Sequence, residues 1–278
     1  MEIHHLQLQP IVAKTLQEER RHGEWATEIC VPNDLNATAE IVSKEAMVLA
    51  AVETIWEVFK STDISLEVST FHKNGARLPA GEVIARISGA ARTIIKGERV
   101  ALALLSHCCG IASTVAACVA RLDGCQLLAD RSVGASDTLL LEQAAASIGG
   151  VCSHRLGLGD SVLVSAKHAQ LAGGSKQAVA LLRESLSPTQ KIAVEVNQLE
   201  QLQAASDAGA DLVVLHDLEL AGVSFAVRTL RNQTLTAATG EIAASMVADY
   251  AATGVNFISS ETIIRNAKRA KLALNIML

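Results

Sequence analysis

The sequence predicts an α/β protein in which an α+β half with antiparallel strands is followed by a barrel of parallel βα units. Half of the 278 residues are hydrophobic and only 3% are aromatic, so the core must be built from Ala, Leu, Val and Ile, which suits packed βα units. After about residue 96, short apolar strands alternate with helical patterns, and their number favours a barrel over a doubly wound open sheet. We keep the doubly wound sheet as the alternative.

The first half contains one helical pattern and several β-like runs. Residues 4–20 have the spacing of a helix with one apolar face. In residues 38–52, polar and apolar residues first alternate, and the later residues are mainly apolar. Short β-like runs at 64–68 and 82–87 are separated by an Asn74-Gly75 turn, which is typical of antiparallel strands.

The second half repeats the strand–helix unit after a long Ala-rich helix at 98–121. Strands are predicted at 125–130, 161–165, 191–196, 212–216, 234–238 and 255–259. Helices are predicted between and after them at 138–148, 175–185, 198–207, 219–231, 241–252 and 260–270. Two segments, 207–215 and 252–259, each show a helix that ends at Gly and leads into a strand, as expected for a repeated unit.

In a βα barrel the chemistry lies at the carboxyl ends of the strands. That rule selects Asp130 and Arg131, Ser165 to His168, Glu195, His216 and Asp217, Thr239 to Glu241, and Ser259 to Glu261. Glu195 ends an apolar run, so it is either a site residue or half of a structural salt bridge. His216 is either a core histidine or a metal or phosphate ligand. No Gly-x-Gly-x-x-Gly opens a helix after the first strand, which weakens a dinucleotide-binding interpretation.

Charge and cysteine content exclude several function classes. The net charge is −5 and the basic residues are scattered, so no nucleic-acid partner is expected. The N-terminus lacks a signal pattern, and apolar runs are interrupted by charge or Gly, so no membrane partner is expected. The six cysteines form no Cys-x-x-Cys pair, which favours free thiols in the cytoplasm over disulfides or a zinc site.

The run His154-Arg155-Leu156-Gly157-Leu158, followed by an apolar strand and His168, resembles the quinolinate phosphoribosyltransferase family. A related His-Arg-Leu-Gly-Leu occurs in ModD-like proteins of molybdate transport loci. Further similar segments follow in the family's order. They are Gly97-Glu98-Arg99-Val100, Gly110-Ile111-Ala112, Glu195-Val196 and Ala208-Gly209-Ala210-Asp211.

The resemblance implies an N-terminal α+β sandwich-like domain over 1–110, against which the last residues of the chain pack, and an incomplete (β/α) barrel over 111–278. It implies a homodimer or higher homo-oligomer with sites at subunit interfaces. The implied reaction converts quinolinate, a pyridine dicarboxylate, and phosphoribosyl pyrophosphate into nicotinate mononucleotide, pyrophosphate and CO2, as in NAD biosynthesis. Magnesium would bridge the pyrophosphate.

The resemblance also assigns roles to residues. The substrate-binding set is Arg99, Arg131, His154, Arg155, Lys167 and His168, with Arg99 supplied across the dimer. The phosphate-binding set is Gly240, Ser259 and Ser260. The catalytic set is Glu195, His216 and Asp217, of which Glu195 and Asp217 would also hold the metal.

The phosphate end departs from the family pattern. A family lysine becomes Ser132 or Val133, depending on register, and another becomes Ser165. Glu241 replaces one of a pair of glycines, and Glu261 introduces a second acid that is expected to repel a phosphate. The sequence therefore predicts a phosphoribosyltransferase with a degenerate phosphate and metal site. The alternatives are a ModD-like protein, or a catalytically weak or inactive paralogue that binds another anion or a partner.

Overall fold

A computed structural model describes residues 4–21, 23–129, 138–153, 161–231 and 233–277. Its helices are α1 (His5–Glu19), α2 (Trp25–Cys30), α3 (Glu53–Thr62), α4 (Ala91–Val119), α5 (Leu139–Gly149), α6 (Ala166–Ala172), α7 (Ser175–Ser185), α8 (Leu202–Asp207), α9 (Leu220–Thr229), α10 (Val247–Ala251) and α11 (Glu261–Arg265). Its strands are β1 (Asn36–Ser43), β2 (Met47–Val48), β3 (Glu67–Thr70), β4 (Arg77–Leu78), β5 (Val83–Ala90), β6 (Gln126–Ala129), β7 (Cys152–Ser153), β8 (Val162–Val164), β9 (Ile192–Val196), β10 (Leu212–His216), β11 (Leu235–Thr239), β12 (Phe257–Ser259) and β13 (Leu272–Met277).

One compact unit is built on a four-stranded antiparallel sheet. It consists of the described parts of Met1–Ala116, Val133–Gly150 and Ala267–Leu278. The strand order is β13-β1-β5-β3, and Ile41 of β1 lies opposite Leu274 of β13. The last strand of the chain thus pairs with the first. Together with the helices of this unit, the sheet confirms the predicted α+β character of the first half.

The long helix α4 lies in the core of this unit and begins earlier than the sequence suggests. Gly97 does not interrupt it. Instead, Gly97 allows the Phe59 ring to approach, since a Cβ there would lie 2.8 Å from Phe59 Cε1. By length and composition alone, α4 is long and apolar enough to cross a membrane, contrary to our expectation of broken apolar runs. Because 56% of its most apolar window is buried inside the protein, we assign α4 to the core.

The other compact unit holds a seven-stranded parallel sheet. It consists of the described parts of Ala117–Ser132 and Val151–Asn266. The order is β7-β6-β12-β11-β10-β9-β8. Its last strand, β12, pairs with its first, β6, as barrel closure requires and a doubly wound sheet does not. Within the described residues no ladder joins β7 to β8, so the barrel is incomplete. The predicted fold class is confirmed.

Several predicted elements differ from the observed ones because tertiary contacts override local patterns. The helix predicted at 260–270 ends at Arg265, since the chain beyond it bonds to α4: the Ala270 N–H donates to the Ser106 carbonyl at 2.9 Å. The helices predicted at 198–207 and 241–252 each contain a 3-10 turn before a short α-helix. The strand predicted at 64–68 forms instead at Glu67–Thr70.

Two helix-interior glycines should respond oppositely to replacement by alanine. A Cβ on Gly110 would overlap with the Lys268 carbonyl oxygen, whereas a Cβ on Gly222 in α9 would make an ordinary contact 3.6 Å from Leu218 Cβ. We expect Gly110→Ala to lower the free energy of unfolding by about 2 kcal/mol or more. Gly222→Ala should raise it by roughly 0.5–1 kcal/mol through helix propensity. Urea unfolding of both variants tests this, and a neutral Gly110→Ala would contradict the close approach.

The carboxylate of Asp211 ties the starts of β9 and β10 together, and this tie should depend on pH. Burial would raise the pKa of Asp211, but bonds from Lys191, the Ile192 N–H and Arg183 outweigh it and lower the pKa to about 2. The stabilisation is therefore present above the unfolded pKa of 3.8 and is lost as the pH falls through about 2.

We expect Asp211→Asn to lower the free energy of unfolding by about 1–2 kcal/mol at pH 7. The difference from the wild type should narrow between about pH 4 and pH 2, because the wild-type carboxyl becomes neutral there. Denaturant unfolding at a series of pH values measures this. A difference that stays constant down to pH 2 would show that the charge of Asp211 is not what stabilises the tie.

Candidate active site

Polar residues follow the strands of the parallel sheet at a single edge. Ser165 follows β8, Glu195 lies near the end of β9, Asp217 follows β10, Gly240 follows β11 and Ser260 follows β12. Because all these strands run in the same direction, their carboxyl ends lie at the same edge. The structure thus brings the predicted catalytic and phosphate-binding residues of this unit to one end of the barrel.

The turn after β10 holds Asp217 in an unusual backbone conformation. Asp217 has a φ of +53°, the left-handed region that residues with a Cβ adopt at a cost of roughly 1–2 kcal/mol. Its N–H donates to the Thr239 carbonyl at 3.0 Å, and its Oδ2 lies 3.3 Å from His216 Nε2. These contacts hold Asp217 at the barrel edge. Its side chain is 62% exposed and is therefore accessible to a ligand.

Gly240 makes room for the Asp217 carboxylate. Gly240 has a φ of +129°, and a Cβ there would overlap with Asp217 Oδ1. Glycine is thus needed for two reasons, its backbone conformation and the close approach of a side chain. The position that the resemblance assigns to phosphate binding is therefore also the support of the predicted catalytic acid.

Ser259 and Ser260 are both buried at the end of β12. The Ser260 hydroxyl lies 2.8 Å from the Ile242 carbonyl oxygen and 3.3 Å from that of Gly240, so it donates within the loop after β11. This bond stabilises the loop that carries Gly240. Phosphate binding by Ser260 stays a prediction, and any such contact falls to its backbone.

The two acids that were expected to repel a phosphate share an arginine. Arg265 Nη1 lies 3.2 Å from Glu261 Oε1, and its Nη2 lies 3.7 Å from Glu241 Oε1. The Glu241 side chain is 87% exposed. One cation therefore offsets part of the negative charge that Glu241 and Glu261 add to this edge.

Glu195 bonds to the start of a helix. Its Oε1 accepts a hydrogen bond from the Ala166 N–H at 3.4 Å. Ser165 and His168 form a capping box at the same helix start, with Ser165 Oγ 3.0 Å from His168 Nδ1. Within the described residues Glu195 forms no salt bridge, and the choice between a site residue and a structural salt bridge stays a prediction. Lys167 and His168 are exposed in the first turn of α6.

The predicted metal ligands, Glu195 and Asp217, do not by themselves form a metal cage. Glu195 lies opposite Val214 in the β9–β10 ladder, so Asp217 lies three residues further along, about 10 Å by strand geometry. Within the described residues no group of three or more His, Cys, Asp or Glu side chains could hold a metal. Proteins hold magnesium that arrives with substrate phosphates by only one or two carboxylates, so a magnesium role for Glu195 and Asp217 stays a prediction.

The remaining predicted site residues fall elsewhere. Arg131, His154 and Arg155 lie outside the described residues. Arg99 lies on α4 in the other compact unit, is 81% exposed, and donates from Nε to Glu19 Oε1 at 2.9 Å. Sequence reasoning missed the bond between the Tyr250 hydroxyl and the Leu218 carbonyl, 3.2 Å long, next to the Asp217 turn. No local pattern marks it, because the contact joins separate βα units.

Comparisons with known proteins agree with this geometry. Residues 24–109 match the family model for the N-terminal domain of quinolinate phosphoribosyl transferase, and residues 111–275 match that for its C-terminal domain. A probable nicotinate-nucleotide pyrophosphorylase [carboxylating] of Synechocystis is 30% identical over 97% of this chain and 92% of its own. One of Bacillus subtilis is 28% identical over 99% and 96%.

Solved structures are similar over the full length. The nicotinate-nucleotide pyrophosphorylase from Francisella tularensis superposes with a TM-score of 0.92 at 26% identity, covering 99% of this chain and 98% of its own. The NadC structure from Streptococcus pyogenes has a TM-score of 0.91 at 25% identity and covers 100% of both chains.

Replacing Gly240 tests the support of Asp217. Gly240→Ala should lower the free energy of unfolding by about 2–3 kcal/mol, mostly because a φ of +129° is costly for alanine and partly because the exposed Asp217 carboxylate must move aside. Gly209→Ala is the comparison: its φ is +81°, and a Cβ there meets nothing within 4 Å. That variant should cost only about 1 kcal/mol. Equal losses in thermal unfolding would contradict both the unfavourable φ and the close approach at Gly240.

Proposed function

The chain belongs to the quinolinate phosphoribosyltransferase family, and we propose that it joins a pyridine dicarboxylate to phosphoribosyl pyrophosphate. The ring nitrogen of quinolinate would bond to C1 of the ribose as pyrophosphate leaves. Loss of the adjacent carboxylate as CO2, with uptake of a proton from solvent at the ring carbon that it leaves, then yields nicotinate mononucleotide. The observation that carries this proposal is the fixed pairing of Asp217 with Gly240 at the carboxyl edge of a parallel barrel.

Each group at that edge suits part of the donor. The exposed Lys167 and His168, which follow β8, supply donors for phosphate oxygens. Asp217 presents oxygen ligands of the kind that Mg²⁺ prefers. Magnesium, carried in by the donor, would neutralise charge on the departing pyrophosphate. Asp217 would then orient the donor, while Glu195 holds the start of α6.

A cationic cradle would receive the two carboxylates of the acid. The family resemblance assigns this role to Arg131, His154 and Arg155, together with Arg99 from a second subunit. The high exposure of Arg99 supports a role outside its own subunit. We therefore propose a homodimer or larger homo-oligomer, located in the cytoplasm, with neither nucleic acid nor membrane as a partner.

A second candidate function is a catalytically weak or inactive paralogue, or a ModD-like protein, that binds a different anion. The acids Glu241 and Glu261 favour it, because Arg265 supplies a single positive charge between them. The two candidates differ in one property: only an active transferase requires phosphoribosyl pyrophosphate and magnesium at the same edge.

Purified protein incubated with quinolinate, phosphoribosyl pyrophosphate and Mg²⁺ should form nicotinate mononucleotide, measured by chromatography. Asp217→Asn should lower kcat/KM roughly a hundredfold or more, because it removes charge from the donor end while keeping a residue that tolerates positive φ. Arg155→Ala should abolish product formation by removing a cation from the proposed cradle.

The matched control is Asp207→Asn. Asp207 is an exposed acid at the end of α8, bonded to Gln203 and placed before the start of β10, whereas Asp217 follows the end of that strand. Its replacement should leave kcat/KM within about twofold, as for surface substitutions. Absence of product at high wild-type concentration would refute the transferase and leave the anion-binding candidate.

A further inference from the structure

The turn that presents Asp217 is bonded by Tyr250, the only tyrosine in the chain. The Tyr250 hydroxyl donates a hydrogen bond to the Leu218 carbonyl oxygen at 3.2 Å. Tyr250 lies in α10 and is 8% exposed. The bond therefore comes from a packed side chain of a later βα unit, and not from a mobile surface group.

Such a bond matters because the turn is conformationally strained. Asp217 is held in the left-handed region, from which an L-residue tends to relax. On one side its N–H donates to the Thr239 carbonyl, and its carboxylate lies against Gly240. The Tyr250 hydroxyl restrains the following residue, Leu218. The turn is thus held from β11 and from α10, two elements that are separate in sequence.

The hydroxyl is suited to this task as a donor. Burial, together with the negative charges of Asp217 and Glu219, raises the pKa of Tyr250. The phenol therefore keeps its proton at neutral pH, and it donates to the carbonyl without adding charge beside Asp217.

We propose that Tyr250 is a positioning residue that, through the Leu218 carbonyl, keeps the Asp217 carboxylate against Gly240 at the donor end of the site. Its effect on catalysis rests on the proposed function, whereas its effect on the turn does not. Tyr250 does not touch the reacting atoms. Its loss should thus affect use of phosphoribosyl pyrophosphate and leave the affinity for the pyridine dicarboxylate unchanged.

The test is Tyr250→Phe, which removes the hydroxyl and keeps the ring. Thr229→Val is the matched control, since it removes a 2.9 Å hydroxyl-to-carbonyl bond to Phe225 at the end of α9. Hydrogen exchange of the segment containing Asp217 should speed up about tenfold or more in Tyr250→Phe and stay unchanged in Thr229→Val. In steady-state kinetics, kcat/KM for phosphoribosyl pyrophosphate should fall about tenfold with an unchanged KM for quinolinate.

Unchanged exchange at the turn overturns the inference, whatever the activity. Faster exchange with unaltered kinetics also overturns it, because the turn would then not need positioning. If wild-type protein makes no product, the proposed function fails, and exchange alone decides whether Tyr250 holds the turn.

Should Tyr250→Phe not fold, replacing the single tyrosine by 3-fluorotyrosine gives one ¹⁹F resonance. That resonance should shift when Asp217→Asn is introduced, because Tyr250 contacts the turn that holds Asp217, and an unmoved resonance would refute the coupling whether or not the protein is a transferase.

Discussion

The parallel pairing of β11 with β10 and β12 is the constraint on which the site depends. These two pairings place the carboxyl ends of the three strands side by side at one edge of the sheet. Residues that are widely separated in sequence are thereby brought close together. The acid after β10, the glycine after β11 and the serine after β12 are adjacent because of strand order, and no local preference of their own places them there.

Two glycines allow close approaches that a larger residue would prevent. At Gly240 the Asp217 carboxylate occupies the space that a Cβ would take, and at Gly110 the Lys268 carbonyl does so. A glycine loses more conformational entropy on folding than other residues do, and it has no side chain to pack. At these two positions glycine nevertheless allows the observed position of Asp217 and the path of the chain along α4. The strained φ of Asp217 persists because its neighbours restrain it from two directions.

Much of this arrangement could be predicted from the sequence, since periodicity and helix-ending glycines report local structure directly. The strands from β9 to β12 form where alternation and βα spacing place them, and the strand-end rule selects Glu195, His216 and Asp217 without any structural information. The family resemblance added the expectation of an incomplete barrel. The early start of α4 was missed because Gly97 looks like an interruption in sequence and is a packing contact in space.

The charge at the phosphate end was only partly open to sequence reasoning. Glu261 and Arg265 are an i,i+4 pair within one predicted helix, whereas the pairing of Arg265 with Glu241 depends on the fold of the loop after β11. The Tyr250 bond to Leu218 is another contact between separate units. Contacts between separate βα units produce no periodic pattern in the sequence. They can therefore be identified only when the strand order is known.

The central claim is that the carboxyl edge of this barrel binds a phosphoribosyl donor. Titration calorimetry of the unmodified protein with phosphoribosyl pyrophosphate, with and without Mg²⁺, tests it most directly. We predict saturable binding that strengthens when Mg²⁺ is present. Absence of binding in both conditions, alongside binding of quinolinate, would contradict the account. The protein would then be an anion-binding member of the family that has lost the donor end of its site.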